Sequence, residues 1–196
     1  HTLPLAITIS RQCGAGGHTV AELLEQKLGK PWQVWDKAII DEVANRAHIQ
    51  SDMLRSLDEK ARTWVEDVIR FSMGIGIMEQ ATYRKHLALV LASLAQQGHV
   101  ITIGRGANFI LTGALNVRLV ADLETRIQST IKLRNLGRPE AVKFIQQVDK
   151  ARADYSRTYF DHDNNDPLAY SMVICTSNLG IPATVDTIIA AARAKF

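Results

Sequence analysis

The sequence predicts an α/β fold of three layers, a five-stranded parallel sheet with helices on both faces. Three observations predict it. Five short apolar or β-branched runs, at 4–10, 33–35, 99–103, 116–121 and 171–176, alternate with segments of helical periodicity. The first and third runs (PLAITIS and HVITI) are nearly all apolar, as strands buried on both faces are. The first run leads straight into a glycine cluster, Gly14, Gly16 and Gly17, the form of a turn that hands a strand to a helix.

The elements follow in order. Val20, Leu23, Leu24 and Leu28 recur at helical spacing, and Gly29 ends the helix. A short strand is expected at Gln33–Trp35. The stretch 36–97 reads as helical and is too long for one helix of a compact domain. Breaks are expected near 50–51 and near 74–76, with Ser51 as a cap. The strand 99–103 ends in Gly104-Arg105-Gly106, and 116–121 forms the fourth strand. Helices at 124–136 and 139–155, a strand at 171–176 and a helix at 182–195 complete the chain. One domain over 1–196 is expected, with a helical insertion at about 37–97. In such sheets ligands bind beyond the carboxyl ends of the strands, so the loops after the strands are where function is expected.

The 196 residues carry a net charge of +3, with the basic residues scattered. That fits a phosphate-binding domain and gives no footprint for nucleic acid or a membrane surface. The two cysteines, Cys13 and Cys175, are in no metal-ligand spacing, so no metal site is expected. No apolar run approaches the roughly 20 residues of a membrane span. With no signal peptide in view, a cytoplasmic location is the expectation.

The segment Ser10-Arg11-Gln12-Cys13-Gly14-Ala15-Gly16-Gly17-His18-Thr19 joins the first strand to the first helix. Glycines let successive N–H groups turn inward, and a helix N-terminus adds its dipole; together these bind phosphate. The plainer reading is a tight turn. The phosphate-loop pattern G-x-x-x-x-G-K-S/T is not matched. Gly16 fills the second glycine slot, Arg11 stands at the first, Gly17 at the lysine and His18 at the hydroxyl.

Five blocks together, ITISRQCGAGG (7–17), VWDKAIIDEVA (34–44), VITIGRGANFIL (100–111), VDKARADYSRTYF (148–160) and DPLAYSMVICTSNL (166–179), resemble the cytidylate kinase-like family. The resemblance spans nearly the whole chain. It implies a P-loop nucleotide-kinase-like fold, a helical acceptor-binding region and a mobile lid at about 134–160. It also implies phosphoryl transfer from ATP, with Mg2+, to a nucleoside or nucleoside monophosphate. Against the cytidylate kinase loop GPSGAGKGT, Gly14, Ala15, Gly16 and Thr19 match, while Gly17 replaces the lysine. The resemblance thus implies nucleotide binding at Ser10, Gly14, Ala15, Gly16, Gly17, His18 and Thr19.

Loss of the lysine leaves two alternatives: another cation serves, or the domain binds nucleotide as a regulator or sensor with little turnover. Arg11 is the local substitute, because a guanidinium grips phosphate oxygens in pairs. The plainer reading of Arg11 is a salt bridge to Asp36 or another acid. Asp36 stands where the family's acceptor motif begins, as a proton acceptor, a guide for Mg2+-bound water, or simply a helix cap. Arg105 follows an apolar strand and is the leading catalytic candidate. It matches the arginine of the family's GRD motif, whose aspartate is here Gly106.

Arg126, Arg134, Arg138, Arg152 and Arg157 lie in the lid region; Arg152 and Arg157, with Tyr155 beside them, are the candidates to close over the triphosphate. The others read as a solvated helix face. The loop 162–167 reads as a surface turn. Trp32, Trp35 and Trp64 are expected in the core or an interface. Met73, Ile75, Ile77 and Met78 form an apolar segment that is a candidate for pairing two copies as a homodimer.

Overall fold

The computed structural model describes residues 5–46, 52–53, 55–73 and 78–196. Five parallel strands, β1 (Ala6–Arg11), β2 (Gln33–Trp35), β3 (Val100–Ile103), β4 (Leu115–Val120) and β5 (Met172–Cys175), form one sheet in the order β2-β3-β1-β4-β5. β1 is therefore central, and the chain moves to opposite sides of it after β1 and after β3, which opens the crevice at its carboxyl end.

The strands' alternation separates two faces. Ile7, Ile9, Ile101, Ile103, Val117 and Leu119 meet Val20 and Leu24 of helix α1 (Gly17–Leu28) in one core. The C-terminal helix, the last of nine among the described residues, runs Ile181–Lys195 and adds Val185 and Ile188 to that core. On the other face, Ala6 and Val100 pack with Ile40 of α2 (Lys37–Ala44) and Leu87, Leu91 and Leu94 of α4 (Met78–Gln97). Residues 87–95 of α4 are buried on every side, so this helix is apolar all round rather than amphipathic. It packs between the sheet and α3 (Glu59–Met73), whose start is capped by Asp58 accepting from Ala61 N at 2.8 Å.

A further apolar cluster joins Cys13 of the first loop to α6 (Leu123–Arg134) and α7 (Arg138–Phe160) through Ile127, Ala141 and Ile145. Two short helices, α5 (Ala107–Ile110) and α8 (Thr176–Leu179), follow β3 and β5. Trp32 and Trp35 lie against the two sheet cores as expected. The cap expected at Ser51, the break at 74–76 and the side chains of Trp64 and of the apolar segment 73–78 lie outside the described residues. Among the described residues no helix is long and apolar enough to cross a membrane.

Candidate active site

The loop after β1 is tied down from below and left open at its mouth. Gln12 N donates to Leu119 O (3.0 Å), and the Gln12 side chain accepts from Ala121 N (3.0 Å). Thr176 at the start of α8 donates its hydroxyl to Ala15 O (2.9 Å). Gly14 and Gly16 have φ of 80° and 87°, a left-handed conformation that side-chain-bearing residues adopt at a cost. A Cβ on Gly14 would stand 2.6 Å from Arg126 O. With the backbone so turned, the N–H groups of Gly14, Gly16, Gly17, His18 and Thr19 have no acceptor among the described residues. Three of these begin α1, where free N–H groups and the positive dipole end coincide.

Arg11 completes the mouth. Its aliphatic stem lies over Gly17, where a Cβ would stand 2.7 Å from Arg11 Cγ. Its guanidinium reaches Gly104, where a Cβ would stand 2.8 Å from Nη1. The Arg11 side chain thus crosses position 17 from the strand end. No carboxylate pairs with Arg11 among the described residues, so the salt bridge to Asp36 is not formed. Burial, and then the charges of Arg152 and Arg105, pull its pKa well below the ordinary value. The guanidinium remains protonated at neutral pH, and its charge is a burden that an anion would relieve.

Arg152, on α7, donates Nη1 to the carbonyl of Arg11 at 3.0 Å. It is therefore at the loop. Burial lowers its pKa too, and Asp149 stands 4.0 Å away. Asp149 does more for the loop than for Arg152. Its Oδ1 accepts from Cys13 N (2.7 Å) and its Oδ2 from Arg126 Nη1 (2.6 Å). Neither Asp149 nor Arg126 was singled out by sequence as a loop anchor. The only available signal was an acid three residues before Arg152, on the same helix face.

Arg105 is held differently. It has φ of 57° and pairs with Asp41 at 2.7 Å, under the ring of Tyr155 (4.9 Å). Tyr155 donates to Arg105 O (3.4 Å), and its hydroxyl meets that of Tyr83 (3.1 Å). Burial pushes the Tyr155 phenol far above its usual pKa, so it acts as a neutral donor. Asp36 caps α2, Oδ1 accepting from Ile39 N (3.0 Å), and its charge reaches His18, so it lies beside the mouth.

His18 and Thr19 are exposed on the first turn of α1. Partial desolvation by the neighbouring loop and then the charge of Arg11 lower the pKa of His18. Ser10 is drawn to another cluster: it accepts from Arg118 Nη1 (2.8 Å) and meets Tyr170 Oη (3.3 Å). Arg157 is exposed on the last turn of α7 and makes no ion pair among the described residues. Of the lid-region arginines left to the solvated face, Arg138 pairs with exposed Glu124 and Arg134 lies over Phe144, while Arg126 is drawn in to the loop and mostly covered.

The chemistry here suits a polyphosphate: amides without acceptors, a guanidinium without a carboxylate, and glycines at 17 and 104, where a Cβ would meet the Arg11 side chain. Among the described residues no three His, Cys, Asp or Glu side chains cluster as a metal site. A Mg2+ ion here would be carried chiefly by the phosphates, as is usual for this ion.

Comparison with known proteins agrees with this architecture. A crystal structure of an uncharacterized protein from Eubacterium ventriosum superposes with a TM-score of 0.68 at 20% identity, over 97% of this chain and 99% of that one. A shikimate kinase from Bacteroides thetaiotaomicron superposes with a TM-score of 0.52 at 15% identity, over 96% and 98%. These identities speak for the fold alone, which is that of P-loop kinases. No curated protein matches the chain. The model of the cytidylate kinase-like family matches residues 6–178, and the chain belongs to that family.

Proposed function

We propose that this protein is a phosphotransferase that moves a phosphoryl group from Mg2+-ATP to a nucleoside or nucleoside monophosphate, with Arg11 in the role of the absent lysine. The observation that carries this reading is the juxtaposition of Arg11, without a carboxylate partner, with five uncommitted amides. Mg2+ bound with the nucleotide supplies charge neutralisation between its phosphates. The amides of Gly14, Gly16, Gly17, His18 and Thr19 bind and orient the phosphate chain. Arg11 and Arg152 balance the charge on the transferred group. Asp36 Oδ2, which has no partner among the described residues, takes the proton of the attacking hydroxyl. Tyr155 and Asp41 hold Arg105 at the acceptor side.

The alternative, a nucleotide-binding regulatory or sensor domain with little turnover, has one observation in its favour. A Cβ on Gly106 would collide with the ring of Phe160, so the space for the GRD aspartate is filled. Transfer from radiolabelled ATP to a panel of nucleosides and nucleoside monophosphates, with and without Mg2+, separates the two. Mg2+-dependent labelling of one class of acceptor is the expected result. Tight ATP binding without transfer would establish the regulatory reading instead.

A further inference from the structure

The ion pair that tethers Arg105 is only half made. Arg105 Nη2 donates to Asp41 Oδ2 at 2.7 Å. Nη2 and Nε form the side edge of a guanidinium, a pair of donors suited to both oxygens of one carboxylate. Here Nε is buried and has no partner among the described residues. A buried donor left unbonded beside a carboxylate is an unfavourable arrangement. Some other group therefore keeps the second oxygen of Asp41 away from it.

That group is Tyr83, on α4. Its hydroxyl donates to Asp41 Oδ1 at 3.3 Å. A carboxylate has no proton to give, so Tyr83 commits its own proton to Asp41 and can only accept from Tyr155. The one proton of Tyr155 is shared between Tyr83 Oη (3.1 Å) and Arg105 O (3.4 Å). Burial raises the pKa of both phenols, so both hydroxyls keep their protons at neutral pH. Ring packing fixes where they point. Tyr83 and Tyr155 meet edge to face at 6.4 Å, and Tyr159 packs on both, at 4.9 and 4.8 Å. Side chains of α2, α4 and α7 thus converge on one arginine in the turn after β3.

We infer that Tyr83 is a positioning residue: by occupying Asp41 Oδ1 it keeps the Asp41–Arg105 pair single, so that the guanidinium is free to turn from Asp41 to the substrate in the cleft. This rests on the phosphotransfer reading above, in which Arg105 serves the acceptor side. Without the Tyr83 hydroxyl, Asp41 grips Nε and Nη2 together. That tighter pair competes with the substrate for Arg105, while the fold gains the bond it lacked. Loss of this hydroxyl therefore lowers turnover and spares stability. A hydroxyl with a merely structural role would do the reverse.

The test compares Tyr83→Phe, the double variant Tyr83→Phe with Asp41→Asn, and Tyr159→Phe as the control for a lost phenol hydroxyl. Rates of transfer from radiolabelled ATP are measured over the nucleosides and nucleoside monophosphates of the panel above. Thermal melts and NMR spectra of the arginine Nε–H groups accompany them. Tyr83→Phe is expected to lower kcat/KM for the acceptor about tenfold, mostly through KM, the scale of one charge-assisted hydrogen bond. Its KM for ATP is expected within about twofold of the wild type, and its Tm equal or higher. The Arg105 Nε–H signal is expected to move downfield as that group gains a carboxylate oxygen. Asp41→Asn leaves one acceptor oxygen where there were two, so the double variant cannot grip twice. It is expected to regain at least about threefold over Tyr83→Phe. Tyr159→Phe is expected to stay within about twofold of the wild type. Wild-type kcat/KM in Tyr83→Phe, an unmoved Arg105 Nε–H signal, or a double variant less active than the single one overturns the inference and leaves the phosphotransfer reading standing. If the wild type labels no acceptor, that reading falls and the positioning role with it.

Discussion

Replacing Arg11 by glutamine is expected to lower phosphoryl transfer by about three orders of magnitude, the scale seen for arginines that balance a transferred phosphoryl group. The same change is expected to leave the ligand-free melting temperature unchanged or higher. The two effects have one cause. In the empty protein the Arg11 charge is partly buried, repelled by Arg152 and Arg105, and paired with no carboxylate among the described residues, so its removal costs the fold little. With polyphosphate bound, the same charge becomes the main counter-ion. Gly17→Lys alone is expected to fail as a gain of function, because the new Cβ meets the stem of Arg11 at 2.7 Å. The exchange Arg11→Gly with Gly17→Lys, which moves the cation to the helix start, is expected to recover most of the activity. Steady-state transfer rates and thermal melts of the three variants check this. An Arg11→Gln enzyme with wild-type rates contradicts the assignment.

Asp149→Ala is expected to be the most destabilising single change at the site, by about 3 kcal/mol, because it leaves a buried cation unpaired. That corresponds to a fall of about 10 °C in Tm for a domain of this size. Arg126 is 12% exposed and takes its ion pair from Asp149; Cys13 N would lose its acceptor at the same stroke. The loop amides should therefore exchange with deuterium faster in this variant, even at temperatures where the global fold persists. Asp154→Ala is the control. Its ion pair with Lys150 is exposed, 54% and 75%, and its loss should cost less than about 1 kcal/mol. Equal melting temperatures for the two variants would remove Asp149 from its place as the anchor.

Much of this architecture was legible in the sequence because it rests on local pattern. Apolar runs such as VITI and the glycines that end them announce strands and turns without reference to distant residues. Elements missed include α5 and α8, each four residues long, too short for a period to show. The helix α7 extends to Phe160, past the expected end at 155, because its last turn is held by packing. Phe160 lies against Phe109, a contact between elements far apart in the chain.

The site divides in the same way. Gly14, Gly16 and Gly17 mark the loop by their own chemistry, and Arg11 was recognisable as the nearest cation. The reach of Arg11 across Gly17 to Gly104 could not be read, since it depends on how β1 and β3 lie together. The partners of Asp149 lie 23 and 136 residues away, and those of Arg118 lie 47 and 108 away. Sequence order carries no signal over such distances. Arg105 stood out as the cation after an apolar strand, but its tether to Asp41 is a contact between α2 and the turn after β3 that no local pattern announces.

The central claim is that the turn after β1 holds polyphosphate through its own amides. Amide NMR spectra recorded during titration with Mg2+-ATP test it most directly. The largest shifts are expected at Gly14, Gly16, Gly17, His18 and Thr19, with smaller ones at Arg11 and Arg152. Shifts confined to other parts of the sheet, or saturating ATP with those five amides unmoved, would contradict it.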